Sequence, residues 1–359
     1  MAISRFQRAF HHWRTVAREP VPPAAFAKLC RFAVVLLGLI VVTGAAVRLT
    51  KSGLGCPTWP QCGDGSFVTR SQFSLHGVVE FGNRVVSLGV GLLIAAVVIG
   101  SFRLAQRRRD LRWLSGGLVL GFVAQGVLGG LTVIFHLNPA LVAGHFLVSM
   151  LLLWNAAVLD MRARQPSGPR VRTVRREITA LADVLALAAA AVLILGTVVT
   201  GAGPHSGDAG DVQRFAINIR SAAQLHADSA MLLTGLVIAM AFAVRLSTVA
   251  RGSRTLANAL ALTVVAQAAV GFAQYFLGIP TGLVAVHVAG ATLLWILALY
   301  LRLTLGSSSS SAIVVEQAAG TSGSDQLIDG DGEEEQRQIG DREVEQPHRP
   351  RVTAGDSTS

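Results

Sequence analysis

The sequence predicts an all-α integral membrane protein, with eight transmembrane helices arranged as two pseudo-symmetric four-helix bundles. Three observations predict it. Of 359 residues, 52% are hydrophobic and only 14% charged, against roughly 25% charged in a soluble domain. The apolar residues gather in eight blocks of about 20, the length that crosses a ~30 Å hydrocarbon core. The second four blocks also echo the first four in sequence. Together these features exclude an ordinary soluble enzyme, a disordered chain and a secreted disulfide scaffold.

The blocks run over 26–47, 76–101, 114–135, 141–160, 180–200, 225–244, 256–277 and 283–301. The first has an arginine-containing lead-in but no small-residue cleavage site. It continues into Thr43-Gly44-Ala45 and reads as a retained span rather than a signal peptide. The second carries His76, Glu80 and Arg84 within its apolar run. Gly121, Gly126, Gly129 and Gly130 in the third are small residues of the kind that let helices approach closely in lipid. The fourth, sixth and eighth open with His145, His226 and His287, while the fifth and seventh lack a histidine. No block alternates strictly between polar and apolar, so a barrel is disfavoured.

The net charge of +10 divides unevenly. From Gly306 onward there are 11 acidic and 4 basic residues, and the preceding chain is correspondingly basic at +17. That basic excess lies between the apolar blocks, where it orients the chain in the bilayer rather than binding nucleic acid. One side carries 21 Lys and Arg, the other only Arg48, Lys51, Arg70, Arg214 and Arg220. Both termini are therefore expected in the cytoplasm. The expected organisation is a cytoplasmic segment over 1–25, a four-helix bundle over 26–160, a linker over 161–179, a second bundle over 180–303, and a disordered acidic tail over 304–359.

Ala124-Gln125 matches Ala266-Gln267, and His145 matches His287, both at an offset of 142 residues. Four spans per half give the halves the same orientation, related by an axis along the membrane normal. Polar groups inside lipid are functional hypotheses by default. His76, His145, His226 and His287 all lie near the outer ends of their spans. Two histidines on neighbouring helices, with few carboxylates or cysteines nearby, suit the axial positions of a haem iron better than a zinc site. His226 and His287 form such a pair in the second half. The same spacing counted back from His145 reaches Asn83 or Arg84, not a histidine. His76 lies on the same helix face, about 10 Å further out. The first half then admits an iron held by His145 alone, open on one face, or one held by His145 and His76.

Glu80 and Arg84 are an i, i+4 pair, either a neutralised structural pair or working groups. In the second case Arg84 would meet a haem propionate and Glu80 would move protons. The loop after the first block, Gly44-Ala45-Ala46-Val47-Arg48-Leu49-Thr50-Lys51-Ser52-Gly53-Leu54-Gly55-Cys56-Pro57, continues to Trp59-Pro60 and Cys62. Cys56 and Cys62 face an oxidising compartment and are expected to form a structural disulfide. Cys30 reads as a free thiol. Gln125 and Gln267 read as interhelical hydrogen bonders rather than site residues.

That loop resembles the signature of the heme A synthase family, and the resemblance extends over the eight-span body to about residue 303. It implies oxidation of a methyl group of heme O to the formyl group of heme A, for cytochrome oxidase biogenesis, in a bacterial plasma membrane. It further implies a heme b held by His226 and His287, a heme O substrate received by His145, and Glu80 as the catalytic residue of a Glu-x-x-His-Arg motif. Here the motif reads Glu80-Phe81-Gly82-Asn83-Arg84, so Asn83 stands at the histidine position. A heme O synthase delivering the substrate is a candidate partner, and the electron donor is not readable. The competing functions are a non-enzymatic membrane haem carrier or transporter and a diheme electron-transfer protein.

Overall fold

A computed structural model describes residues 19–56, 58–62, 75–167, 170–171, 174–205, 207–208, 210, 212–306 and 308–309. Most of the expected N-terminal segment, Pro57, Arg70 and the tail beyond residue 309 lie outside the described residues.

Eight helices cross the molecule: α1 Pro23–Leu49, α2 Leu75–Phe102, α3 Arg109–Ile134, α4 Pro139–Ala163, α5 Arg176–Ala202, α6 Ile219–Arg245, α7 Arg251–Phe276 and α8 Thr281–Gly306. All eight are long and apolar enough to span a bilayer. Their outward faces carry Leu92, Leu120, Leu187, Leu232, Phe242 and Phe272, all exposed. Only a hydrocarbon solvent tolerates such a surface, so the chain is a multi-pass membrane protein.

The helices overrun the apolar blocks at several ends. α4 continues to Ala163, α5 begins at Arg176 and α8 ends at Gly306, which shortens the expected linker and moves the expected tail boundary. Arg162, Arg176 and Arg302 occupy these extra turns. Long guanidinium side chains reach the interface while their backbone stays helical. Two-residue strands β1 (Arg170–Val171) and β2 (Ser308–Ser309) then pair antiparallel, so residues 308–309 of the expected tail are ordered against the linker.

Packing partners define the architecture. α1–α2, α2–α3, α3–α4 and α4–α1 close one ring, and α5–α6, α6–α7, α7–α8 and α8–α5 close a second. The rings meet through α1–α8, α4–α5 and α4–α8. Exchanging the halves maps the first two contacts onto each other and the third onto itself, which puts the pseudo-twofold axis between α4 and α8. Trp295 Nε1 donates to the Met150 carbonyl across that seam at 3.0 Å.

The repeat holds down to the backbone. In the α3–α4 turn, His136 and Leu137 take φ of 49° and 59°; at the 142-residue offset, Gly278 and Ile279 take 73° and 61°. Leu137 N–H closes on the Thr132 carbonyl at 2.7 Å, and Ile279 N–H on the Gln274 carbonyl at 2.7 Å.

The side-chain core is not spread evenly along the helices. Leu118, Leu153, Leu159, Leu185, Met240, Leu260, Leu301 and Leu305 are fully buried towards the end that carries Arg162, Arg176 and Arg302. No residue is fully buried over 81–89 in α2, 140–149 in α4, 223–232 in α6 or 282–291 in α8. The fully buried side chains of each ring thus concentrate at one end, and the histidines and Asn83 stand nearer the other.

Candidate functional site

In the second ring, α6 and α8 face each other diagonally. Asn218 caps α6 by accepting from Arg220 N–H at 2.9 Å, fixing the start of the helix two turns before His226. The His226 and His287 rings have centroids 6.2 Å apart and planes inclined at 71°. An iron bound by two imidazole nitrogens at about 2 Å each sets the ring centroids about 6 Å apart, so the spacing suits a shared metal. His226 Nδ1 lies 3.1 Å from the Val192 carbonyl, which leaves Nε2 as the inward nitrogen. His287 Nδ1 is buried without a hydrogen-bond partner. Among the described residues no group of three or more His, Cys, Asp or Glu converges, so a two-ligand haem fits the donor set better than a zinc ion.

Glycine makes the room. A methyl group built on Gly271 would stand 3.8 Å from His287 Cε1, one on Gly196 3.2 Å from His226 Cε1, and one on Gly129 3.4 Å from His145 Cε1. Any larger side chain at these points would project into the space beside the imidazoles.

The first ring repeats the plan with one change. Asn138 caps α4 by accepting from Ala140 N–H at 3.0 Å and sets His145 two turns in. Gln125 donates to the His145 carbonyl at 3.1 Å, and Gln267 to the His287 carbonyl at 2.8 Å, as interhelical hydrogen bonds at equivalent positions. His145 Nδ1 is buried without a partner, like that of His287. On α2, however, Asn83 occupies the place of His226. Thr43 of α1 donates to Asn83 Oδ1 at 2.9 Å, just as α5 supports His226. His76 is not drawn towards His145. It is exposed at the start of α2, with Nδ1 3.1 Å from Ser52 Oγ.

Glu80 and Arg84 connect α2 to the loop above. Cys56 N–H donates to Glu80 Oε2 at 2.7 Å, and Arg84 Nη2 binds Oε1 at 2.6 Å. The same guanidinium donates to the Gln61 carbonyl at 3.2 Å and the Thr58 carbonyl at 3.3 Å. Cys56 and Cys62 are joined by a disulfide that closes this loop. Trp59 lies against Gly130 of α3, where an added methyl group would come within 2.6 Å of the indole. The loop therefore roofs the first ring beside His145. Cys30, by contrast, is a buried free thiol in α1.

The sequence matches the cytochrome oxidase assembly protein family COX15-CtaA over residues 27–299, the whole helical body from α1 to most of α8. The chain belongs to the COX15-CtaA family. It is similar to a protein named heme A synthase from Alkalihalophilus pseudofirmus, 31% identical over 126 residues, covering 35% of this chain and 42% of the relative. Proteins of the same name from Bacillus cereus strain AH187 and Bacillus anthracis strain CDC 684 are each 34% identical over 114 residues, covering 32% of this chain and 36% of theirs. These matches span about two fifths of the length of the curated relatives.

Within this COX15-CtaA chain the structure brings together His226 with His287, and Glu80 with Arg84 and the disulfide loop. It sets Asn83 against Thr43 and leaves His76 with Ser52. Sequence reasoning gave Thr43 no role, read Gly129 only as a packing residue, and passed over Gly196 and Gly271. The signal for one pair was available, since Gly129 and Gly271 are related by the same 142-residue offset as the histidines.

Proposed function

We propose that the chain is a membrane oxidoreductase that converts the methyl group of heme O to the formyl group of heme A by successive hydroxylation. One observation carries this reading. A duplicated scaffold presents two facing histidines in one ring, but a histidine and an amide in the other. Two histidines saturate an iron and suit electron transfer; one leaves a coordination position for chemistry. The curated relatives carry the name heme A synthase, and membership of a cytochrome oxidase assembly family agrees with it.

In this reading residues 180–303 hold a heme b through His226 and His287, and residues 26–160 receive heme O on His145. Heme b, when bound, supplies one-electron transfer to the neighbouring ring. Asn83, an amide, does not ligate iron, and His76 stays with Ser52, so His145 is the single protein ligand of the substrate. Arg84 presents a cation at the rim for a propionate. Glu80, one turn outward of Asn83 on the same face of α2, would move protons beside the methyl group. At each hydroxylation that carbon gives up two electrons to an external oxidant and gains one oxygen; the diol left by the second loses water to give the formyl group. Cys56 N–H and Arg84 hold the two oxygens of Glu80 in register. Both termini face the cytoplasm, so the histidine end lies towards the outer leaflet. A heme O synthase that delivers substrate sideways through the bilayer is the expected partner.

The test is haem extraction from cells making heme O, with and without the chain, followed by chromatographic separation of haems b, o and a. Formation of heme A that depends on the chain and disappears in His145→Ala and Glu80→Gln supports the proposal. Bound haem with no formyl product would instead indicate a haem carrier.

A further inference from the structure

At the end of the molecule opposite the histidines, two adjoining clefts open where α4, α5 and α8 meet. The first, about 230 Å³, is lined by Val158, Met161, Arg162, Gln165, Arg302 and Leu303. The second, about 250 Å³, is lined by Arg176, Thr179, Ala180 and Asp183, and shares Arg302 and Gly306 with the first. Neither belongs to the haem-facing interior, and nothing in the proposed reaction uses them.

Three guanidiniums face these clefts, while Asp183 lines the second cleft and Asp110 lies within reach of Arg162. Arg302 is engaged by Asp183 through two hydrogen bonds. Arg162 reaches Asp110 only at 3.9 Å, and its Nε is buried without a hydrogen-bond partner. Arg176 makes no ion pair among the described residues, and it opens α5, whose first turn carries Glu177, paired with Arg175 at 3.3 Å. The positive end of the α5 dipole adds to the arginines and is offset in part by Glu177. A buried guanidinium nitrogen without an acceptor is costly, and an anion supplying oxygen atoms removes that cost.

The wall decides the kind of anion. Val158, Met161 and Leu303 line the same cleft as Arg162 and Arg302. A soluble anion has no use for an apolar wall at the ends of membrane-spanning helices. A phosphodiester with acyl chains matches both halves of the lining: its phosphate meets the arginines and its glycerol and first methylenes lie along Val158, Met161 and Leu303.

We propose that the α4–α5–α8 junction is a binding site for the headgroup of an anionic phospholipid, held by Arg162, Arg176 and Arg302. The lipid bridges the two rings beside their pseudo-twofold axis and adds acceptors beside Arg162 of one half and Arg176 of the other. The proposal does not depend on the haem chemistry.

Full-length protein in neutral detergent is titrated in turn with phosphatidylglycerol, phosphatidylcholine and inorganic phosphate, and adducts are counted by native mass spectrometry. The expected result is retention of phosphatidylglycerol over phosphatidylcholine. Arg162→Gln/Arg176→Gln should weaken that retention about 30-fold, from ~1 kcal/mol per basic residue at the membrane surface. Lys51→Gln/Arg220→Gln, at the opposite end, should leave it unchanged. An unaltered haem absorption spectrum in both double variants confirms that the bundle is intact. Equal retention of the two lipids overturns the proposal, as does an equal loss in both double variants. Full displacement of phosphatidylglycerol by millimolar phosphate assigns the site to a soluble anion and overturns it too. So does a preference that appears only after the chain is cut behind Ser309, because the acidic tail is then the occupant.

Discussion

Asn83 stands on α2 where His226 stands on α6, and under the proposed function the difference between an amide and an imidazole would separate two kinds of iron site. An imidazole nitrogen is a strong ligand to iron; an amide is a poor one. Asn83→His should therefore give the first ring a second axial ligand. The expected outcome is a second low-spin bis-histidine haem signature in the absorption spectrum, together with loss of heme A formation. Gln125 and Gln267 show the other side of residue-level reading. Their offset and polarity marked them as interhelical hydrogen bonders, and each donates to the carbonyl of the histidine on the next helix of its own ring. Replacing Gln125 by Leu should destabilise the first ring by about 0.6 kcal/mol, the mean for such bonds in membranes, measurable by unfolding in mixed micelles. The Glu80–Arg84 pair was legible as a pair. Its grip on Cys56 N–H and the Thr58 and Gln61 carbonyls was not, because nothing in a sequence says which loop folds back over which helix.

At the scale of helices and turns, hydropathy located all eight spans because lipid imposes one length and one polarity on each. It did not locate their ends, because arginines at 162, 176 and 302 extend the helix beyond the apolar run. Nor did it mark which glycines matter. Gly129, Gly196 and Gly271 are distinguished only by the imidazole each faces. Gly271→Leu should empty the second ring of haem while sparing the first, and Gly129→Leu the reverse. Haem-to-protein ratios from pyridine haemochrome spectra check both. The two inter-helix turns place non-glycine residues at positive φ, and Ile279 is the β-branched one. A left-handed conformation costs about 1–2 kcal/mol for such a residue. Ile279→Gly should raise thermal stability by about 1 kcal/mol, whereas the same change at Gly278's partner position, His136→Gly, should have a smaller effect because the cost is lower without β-branching.

For the molecule as a whole, the eight apolar blocks and the 142-residue offset were enough to place two bundles of four helices. The way they meet was not readable. Side chains such as Trp295, which bonds to the Met150 carbonyl, look like any other apolar residue in a span until α4 and α8 are seen side by side. The same holds for Arg48, which donates to the Thr200 carbonyl at 2.8 Å, and for Gly53, which donates to the Gly207 carbonyl at 2.9 Å. These bonds tie the two halves at the histidine end. The expected consequence is that His226→Ala removes the second-ring haem without displacing the first-ring one, because the rings share their junction but not their interiors. Difference spectra of the reduced protein distinguish the two.

The pseudo-twofold axis between α4 and α8 has a consequence for assembly. A contact that maps onto itself under the exchange of halves is the geometry two identical four-helix chains adopt when they dimerise. Each half closes its own ring, and the two rings meet along α1–α8, α4–α5 and α4–α8. Expressed as separate polypeptides divided between residues 167 and 174, the halves should therefore still find each other in the membrane and pair along that face.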